Sequence, residues 1–453
     1  MLPCISYRKH YFLMLFIIFF TYWCNMFLFS LEMFYIYNTN NDNHKTMKLK
    51  LNSVFLFVIL VISTGCLNEN HNPDHPHNTS FYIDYRSLKG ASDGIAVIEL
   101  DPEAPNFGNI SSKLELGNGV LPHHIYYNLD AKKMFTTALG GSYLYEIKTD
   151  KDQYGQPKLI SATPIDTGEN TVGENLFFTN DGRYFMTFMG GAGGPKDGSI
   201  GVFNANNNQL IKTIKAPIQA NPGKFIMYPH GISVNEEKGL MMVTSTIHPD
   251  LTTGMGNTCT LLDLNTYEIK ETYQVADSPT DLSAPVEVLL LRGKFPQYAL
   301  ATTMLGGDIW IAPYNTATKK YDAFTKIFDG STQGLGWALE MYIDDTNKLY
   351  VSFADPGRVL VFDINNLPQL KLLKTFEADR GAHHMVFFKT KSGKDVVAVQ
   401  NNLLDLPNLN SGTISIIDIN SGKKLGTVDL RNKYGILPES IEGTNGPGSY
   451  MHH

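Results

Sequence analysis

No sustained helical period runs through the chain beyond about Phe81, short apolar or alternating runs recur between Gly, Asn, Asp and Pro clusters, and these runs group in fours with a repeat of about 40 to 55 residues. Together these features predict an all-β fold, a single β-propeller of about seven blades, each of four antiparallel strands. The composition agrees. Glycine at 39 of 453 residues, with 23 Tyr, 26 Phe and Val, Ile and Thr spread through short runs, favours strands and tight turns over helices.

Residues 1–66 stand apart from that pattern. Positions 11–37 are crowded with Phe, Leu, Ile, Met and Tyr and read either as a membrane anchor or as part of an upstream extension over 1–46, with the true start at Met47. From Met47, Lys48 and Lys50 precede an apolar stretch over 54–62, and Ser63, Thr64 and Gly65 precede Cys66. This order of basic, apolar and small residues is that of an export signal over 47–66, similar to a bacterial lipoprotein signal, with Cys66 as the lipidated residue and Ser63 where Leu is usual. Residues 67–80 are polar and Pro-bearing and read as a flexible tether. The expected location is the bacterial cell envelope, as a periplasmic or outer-membrane lipoprotein tied to the membrane only through its N-terminal lipid or signal segment. Of four cysteines, Cys259 alone then remains as a free thiol, so no disulfide framework is available. Its apolar setting, TCTLLDL, reads as core.

The propeller is expected over 81–453. Four successive units span 123–165, 174–215, 230–273 and 286–327. A fifth contains LEMYIDDTNKLYVSF, RVLVFDI and KLLKTF, and a sixth HHMVFF, DVVAVQ, TISIIDI and KLGTVDL. In the third unit TSTIHPDLTTGMGNT reads as a long connection between the second and third strands. The runs FYIDYR, GIAVIELD and SSKLEL supply outer strands of a seventh blade, closed by the segment around 435–441. Closure removes the free edges of an open sheet. Six or eight blades are the alternative counts.

Lys plus Arg total 37 against 44 Asp plus Glu, and the net charge of −7 leaves no basic stripe for a phosphate backbone, so nucleic acid is excluded as a partner. The glycine clusters GGSY, GGAGGP and GGD open no helix and form no nucleotide loop. No GxSxG elbow at a strand-to-helix turn is present, and paired CxxC and HExxH motifs are absent. Met304 and Trp337 read as core or channel lining.

The histidines carry the chemistry. The body between the tether and the terminal His452 and His453 holds six: His123, His124, His230, His248, His383 and His384. Five of them stand at the head of a unit's first strand, in LPHHIYYN, YPHGISVN and GAHHMVFF. First strands line a propeller's channel, so positions far apart in sequence converge near one end of the axis. Glu174 in GENLFF, Glu287 in PVEVLLL and Glu340 in ALEMYI take nearly the same register in other units. Imidazoles suit Cu, Zn, Ni or Fe, and a neighbouring carboxylate can ligate or orient them. The expected metal ligands are therefore His123, His124, His230, His383 and His384, with Glu174, Glu287, Glu340 and His248 beside them. Adjacent residues of a regular strand face opposite ways, so both members of a His-His pair reach one site only where the strand is irregular. A lone histidine in such a place is ordinarily a hydrogen-bonded structural residue; five at matching places favour a metal or substrate site.

The stretch DGIAVIELDPEAPNFGNISSKLELGNGVLPHHIYYN resembles the opening of the selenium-binding protein and methanethiol oxidase family. YPHGISVNEEKGLMMVTSTIHP, PVEVLLL, WALEMYIDDTNKLYVSF and GAHHMVFFKTKSGKDVVAVQNN resemble its successive blades, so the likeness covers roughly residues 90 to 430. The resemblance implies a seven-bladed propeller and a copper-dependent, exported enzyme that converts methanethiol and oxygen to formaldehyde, hydrogen sulfide and hydrogen peroxide. His123 and His124 match the family's first His-His pair, and Glu287 and Glu340 match acidic positions. The chain departs from the pattern in two places: Tyr126, Tyr127 and Asn128 follow the pair where the family has cysteines, and Glu174 and Asn175 stand where its second blade has histidine. Copper, which cycles between two oxidation states, and a small thiol substrate are thus expected. Zinc would point to a hydrolytic or structural site. A chain without metal would be a non-enzymatic ligand-binding or scaffolding propeller of the envelope with a protein partner.

Overall fold

The computed structural model describes residues 79–446. The extension, the export signal with Cys66 and nearly all of the tether lie outside the described residues. Seven antiparallel sheets account for almost every strand, and a single short helix, Leu430–Tyr434, is the only α-helix described. The blade count is seven, so the six- and eight-bladed alternatives fall.

Blades 1 to 6 each run outward from an inner strand: Pro122–Tyr127, Gly173–Phe178, Pro229–Asn235, Pro285–Leu290, Gly336–Ile343 and Ala382–Lys389. Blade 4 carries an extra pairing at its outer edge, where Ile309–Asn315 bonds both Lys320–Tyr321 and Thr325–Phe328. Blade 7 is assembled from both ends of the fold. Its inner strand is Ile436–Gly443, and Ser80–Ser87, Asp93–Glu99 and Ile110–Gly117 follow outward. The expected connection in blade 3 is shorter than the sequence indicated, because the strands Leu240–Ile247 and Met255–Asp263 take up most of it and leave only 248–254 as a loop.

Strands buried on both sides need apolar residues on both faces, and this chain supplies them. Seven apolar clusters lie between neighbouring blades. One joins Ile83, Ala96 and Ile441 of blade 7 to Val386, Ala398 and Ile416 of blade 6, and another joins Tyr82, Ile95 and Val97 to Ile125, Met134 and Ile147 of blade 1. The remaining five join blades 1–2, 2–3, 3–4, 4–5 and 5–6. Each interface is therefore a core of its own, and the ring is continuous. Cys259 is fully buried in the cluster between blades 3 and 4, where burial pushes its thiol pKa up.

Candidate metal centre

All seven inner strands break register at the same place. In blade 1 Pro122 pairs with Ala138 and His124 with Thr137, which leaves His123 as an extra residue. Blades 2 to 6 shift likewise at Glu174 and Asn175, His230 and Gly231, Val286 and Glu287, Leu339 and Glu340, and His383 and His384. In blade 7 the extra residue is Glu439, between Pro438 and Ser440. A bulge turns consecutive side chains away from strict alternation. This is the irregularity that lets both members of a His-His pair face the channel.

The two residues of each bulge form two tiers. His123, Glu174, His230, Val286, Leu339 and His383, the first of each pair, line a central cavity of about 250 Å³. The second residues, His124, Asn175, Gly231, Glu287, Glu340, His384 and Ser440, lie beneath them, buried or nearly so and outside the cavity lining. Gly231 must be glycine here, since a Cβ would stand 2.4 Å from the Val286 carbonyl oxygen and 3.0 Å from Glu287 Oε2.

Hydroxyls on the second strands hold the bulges. Thr244 Oγ1 accepts from Gly231 N at 2.8 Å and donates to the Val286 carbonyl of the next blade at 2.9 Å. Thr302 Oγ1 accepts from Glu287 N at 3.3 Å and donates to Leu339 O at 2.7 Å. Thr187 and Gln400 make the same two-sided link, the latter from His384 N to Pro438 O. Ser352 accepts from Glu340 N. These bonds satisfy the groups that a bulge frees from the ladder. In blade 7 this place is taken by Asp84, whose Oδ2 accepts from Thr136 Oγ1 and Ser440 Oγ at 2.8 and 2.9 Å.

Three imidazoles converge on one carboxylate. His123 Nε2, His124 Nε2 and His230 Nε2 stand 3.5, 3.5 and 3.4 Å from Glu174 Oε2. On the far side His383 Nε2 is 3.4 Å and His384 Nδ1 3.9 Å from Glu340 Oε1. Glu287 Oε1 lies 3.2 Å from His230 Nδ1, and its carboxylate is held by Asn175 Nδ2. Two sets of donors fall within 4.8 Å of one another: His123, His124, Glu174 and His230, and separately His124, Glu340 and His384.

This donor set suits an ion. His123 Nδ1, His124 Nε2 and Glu174 Oε2 are buried and receive or make no hydrogen bond, a costly condition for polar atoms unless something else is bound between them. A tetrahedral ion with bonds of roughly 2.0–2.1 Å spaces its donors about 3.3–3.4 Å apart, close to the separations found. Burial, then the neighbouring imidazoles, pulls the pKa values of His123 and His124 well below the ordinary range, so these rings are neutral and keep a lone pair for a cation. Burial also pulls His230 down, but the Glu174 and Glu287 carboxylates outweigh it and hold this ring protonated in the absence of an ion. Burial raises Glu174.

The cavity above is apolar. Leu121, Leu139, Val172, Met189, Ile247 and Met304 are among its walls, and Arg86 enters from blade 7. Arg86 Nε is 3.0 Å from Glu439 Oε1, the bulge residue of its neighbouring strand, whose pKa burial raises to about 8 against the pull of Arg86. His248 does not join the cluster. It lies on the 248–254 loop, with Nδ1 2.9 Å from Asp250 Oδ1 and its ring edge-on to Tyr228 at 5.2 Å, while its loop neighbours Pro249 and Leu251 reach the cavity. Of the two residues read as core or channel lining, Met304 lines the cavity, and Trp337 is half-buried against the cluster beside it.

Arg86, Glu439 and Asn175 are site residues that sequence reasoning missed. A signal for Glu439 was present: Leu437-Pro438-Glu439-Ser440 repeats the Leu121-Pro122-His123-His124 pattern, and both prolines precede a bulge. Arg86 had no such tag, being placed only by strand pairing across the two ends of the chain.

No protein-family model matches the chain. Over 304 residues, 60% of this chain and 67% of the relative, it is 21% identical to a methanethiol oxidase of Ruegeria pomeroyi. Over 238 residues, 46% of this chain, it is 24% identical to eukaryotic translation initiation factor 3 subunit I of Candida albicans, of whose length the match spans about three fifths, 61%. Among solved structures, a hypothetical selenium-binding protein from Sulfolobus tokodaii superposes with a TM-score of 0.65 at 14% identity, covering 84% of this chain and 96% of that one. The periplasmic gluconolactonase of Pseudomonas aeruginosa gives 0.52 at 14% identity over 77% and 96%. At such identities a structural likeness bears on the fold alone. The chain is a seven-bladed β-propeller with a distant likeness to the selenium-binding protein and methanethiol oxidase family.

Proposed function

We propose that this chain is an exported, copper-dependent oxidoreductase that acts on small thiols at the floor of its central cavity. The observation that carries the reading is the convergence of three imidazole Nε2 atoms on the buried Glu174 Oε2 beneath an apolar cavity. The distant likeness to a methanethiol oxidase supports the substrate class. The basic, apolar and small residues over 47–66 support delivery to the bacterial envelope.

His123, His124, His230 and Glu174 would hold the ion. Copper, when bound, would supply the one-electron exchange that links a thiol to dioxygen as acceptor. The chain supplies the rest. Glu287, itself held by Asn175, fixes the His230 ring through Nδ1 and leaves Nε2 directed at Glu174. Leu121, Leu139, Val172 and Ile247 exclude water and receive an alkyl group. Arg86, fixed by Glu439, is the one Lys or Arg of the cavity wall among the described residues and sets a positive potential beside the floor. No thiolate is offered: the one described cysteine, Cys259, is buried between blades 3 and 4.

Copper analysis and oxygen uptake test the reading. The full-length chain is expected to retain copper after desalting and to consume oxygen with methanethiol. A folded His124→Ala, His230→Ala, His383→Ala variant is expected to lose both. Equal copper in the two proteins would overturn the proposal.

A further inference from the structure

We infer that the centre takes two ions, one per tier, and that His124, Glu340 and His384 form the second, closed site. This deepens the proposed function and rests on it.

The two donor sets differ in where they lie. His123, Glu174 and His230 belong to the upper tier and line the cavity, so an ion among them faces whatever enters. His124, Glu340 and His384 all belong to the lower tier, are buried, and do not line the cavity. The two donor sets also have separate carboxylates, from different parts of the ring. Glu174 comes from blade 2 and faces the histidines of blades 1 and 3; Glu340 comes from blade 5 and faces those of blade 6. Only His124 is common to both sets. An imidazole that releases its N–H proton as metal binds becomes an imidazolate, which offers one ring nitrogen to each ion. The rings support this: His124 stands perpendicular to His384 at 4.6 Å between centroids, while its Nε2 is 3.5 Å from Glu174 Oε2.

The charge composition points the same way. Glu174, Glu287 and Glu340 are buried among five imidazoles, and the arginine of the cavity is already paired with Glu439. Buried carboxylates in such number call for compensating cations. One ion beside Glu174 answers one of them. An ion among ligands that are all buried away from the cavity meets no substrate, whereas one in the upper set borders the cavity. The lower ion would thus lock His124 in place for the upper one.

The test uses the full-length chain loaded with excess copper(II) and desalted. Two copper ions per chain are expected, one removed rapidly by EDTA and the other retained. Because the two share a ligand, their electron paramagnetic resonance should integrate to fewer spins than the copper present. Glu340→Gln and His384→Asn are each expected to bind a single copper that is fully visible in the spectrum and stripped by EDTA. A wild-type chain with one copper, unchanged in Glu340→Gln, overturns the two-ion assignment and leaves the proposed function standing. Two coppers retained in both variants would also overturn it, by placing the second ion elsewhere. A wild-type chain that holds no copper removes the proposed function itself.

Discussion

Asp84 offers a pH-dependent test of the seam in blade 7. Its carboxyl is fully buried, accepts from Thr136 and Ser440 through Oδ2, and leaves Oδ1 without a hydrogen bond. Burial raises its pKa from 3.8 to about 7, against the two hydroxyl donors. The folded chain therefore keeps a proton that the unfolded chain has lost. Stability from this group is complete below about pH 4 and declines as pH rises to about 7, by on the order of 4 kcal/mol in all, of which roughly 2–3 kcal/mol falls between pH 5 and pH 8. In Asp84→Asn the side-chain carbonyl still serves Thr136 and Ser440, and no charge is left to bury. The amide puts a donor where Oδ1 has no partner, at a cost of roughly 1–3 kcal/mol. The variant should match the wild type near pH 5 and exceed it by roughly 1–3 kcal/mol at pH 8. Urea unfolding of both proteins at the two pH values measures this, and the comparison cancels every other titrating group. A stability difference that does not change between pH 5 and pH 8 would refute a buried, pKa-raised Asp84.

Three further outcomes follow from the same structure. Ending the chain before Ile436 removes the strand that buries Ile436, Leu437 and Ile441; at roughly 1.5–3 kcal/mol each this approaches the entire stability of a domain, so the truncated chain should lose its cooperative unfolding transition and its copper. Thr302→Val keeps the shape but leaves Glu287 N–H and Leu339 C=O without their partner, and should cost roughly 2–5 kcal/mol in urea unfolding, with a loss under about 1 kcal/mol arguing against the two-sided link. Cys259 should resist a thiol reagent in the native protein and react only on unfolding, while Cys259→Ser, which buries a hydroxyl in the cluster between blades 3 and 4, should destabilise by about 1–3 kcal/mol.

The repeat made the fold legible. Buried inner strands such as PVEVLL and amphipathic outer ones such as ISSKLELG differ in burial as their patterns imply, and spacing pointed to about seven blades with closure from both ends, against six or eight. The convergence of the heads of blades 1, 3 and 6 was legible for the same reason, since equivalent positions of a ring meet at its axis. The bulges were not, because a register shift is set by pairing with the second strand, and Thr244 or Thr302 looks like any other strand threonine in sequence. His248, expected beside the ligands, lies on the 248–254 loop, where its Nδ1 stands 2.9 Å from Asp250 Oδ1 while Pro249 and Leu251 line the cavity.

The seam carries a consequence for biogenesis. The strand that bears Glu439 is made after every other described strand, and its hydrogen-bond partners, from Phe81 to Ser87, are made before them. A growing chain thus contains every histidine of the centre before its channel has all seven inner strands, the last of which is Ile436–Gly443. A polypeptide stopped before Ile436 leaves the Ser80–Ser87 strand without its inner partner and the channel one inner strand short, so the ring closes through the pairing of two segments far apart in sequence.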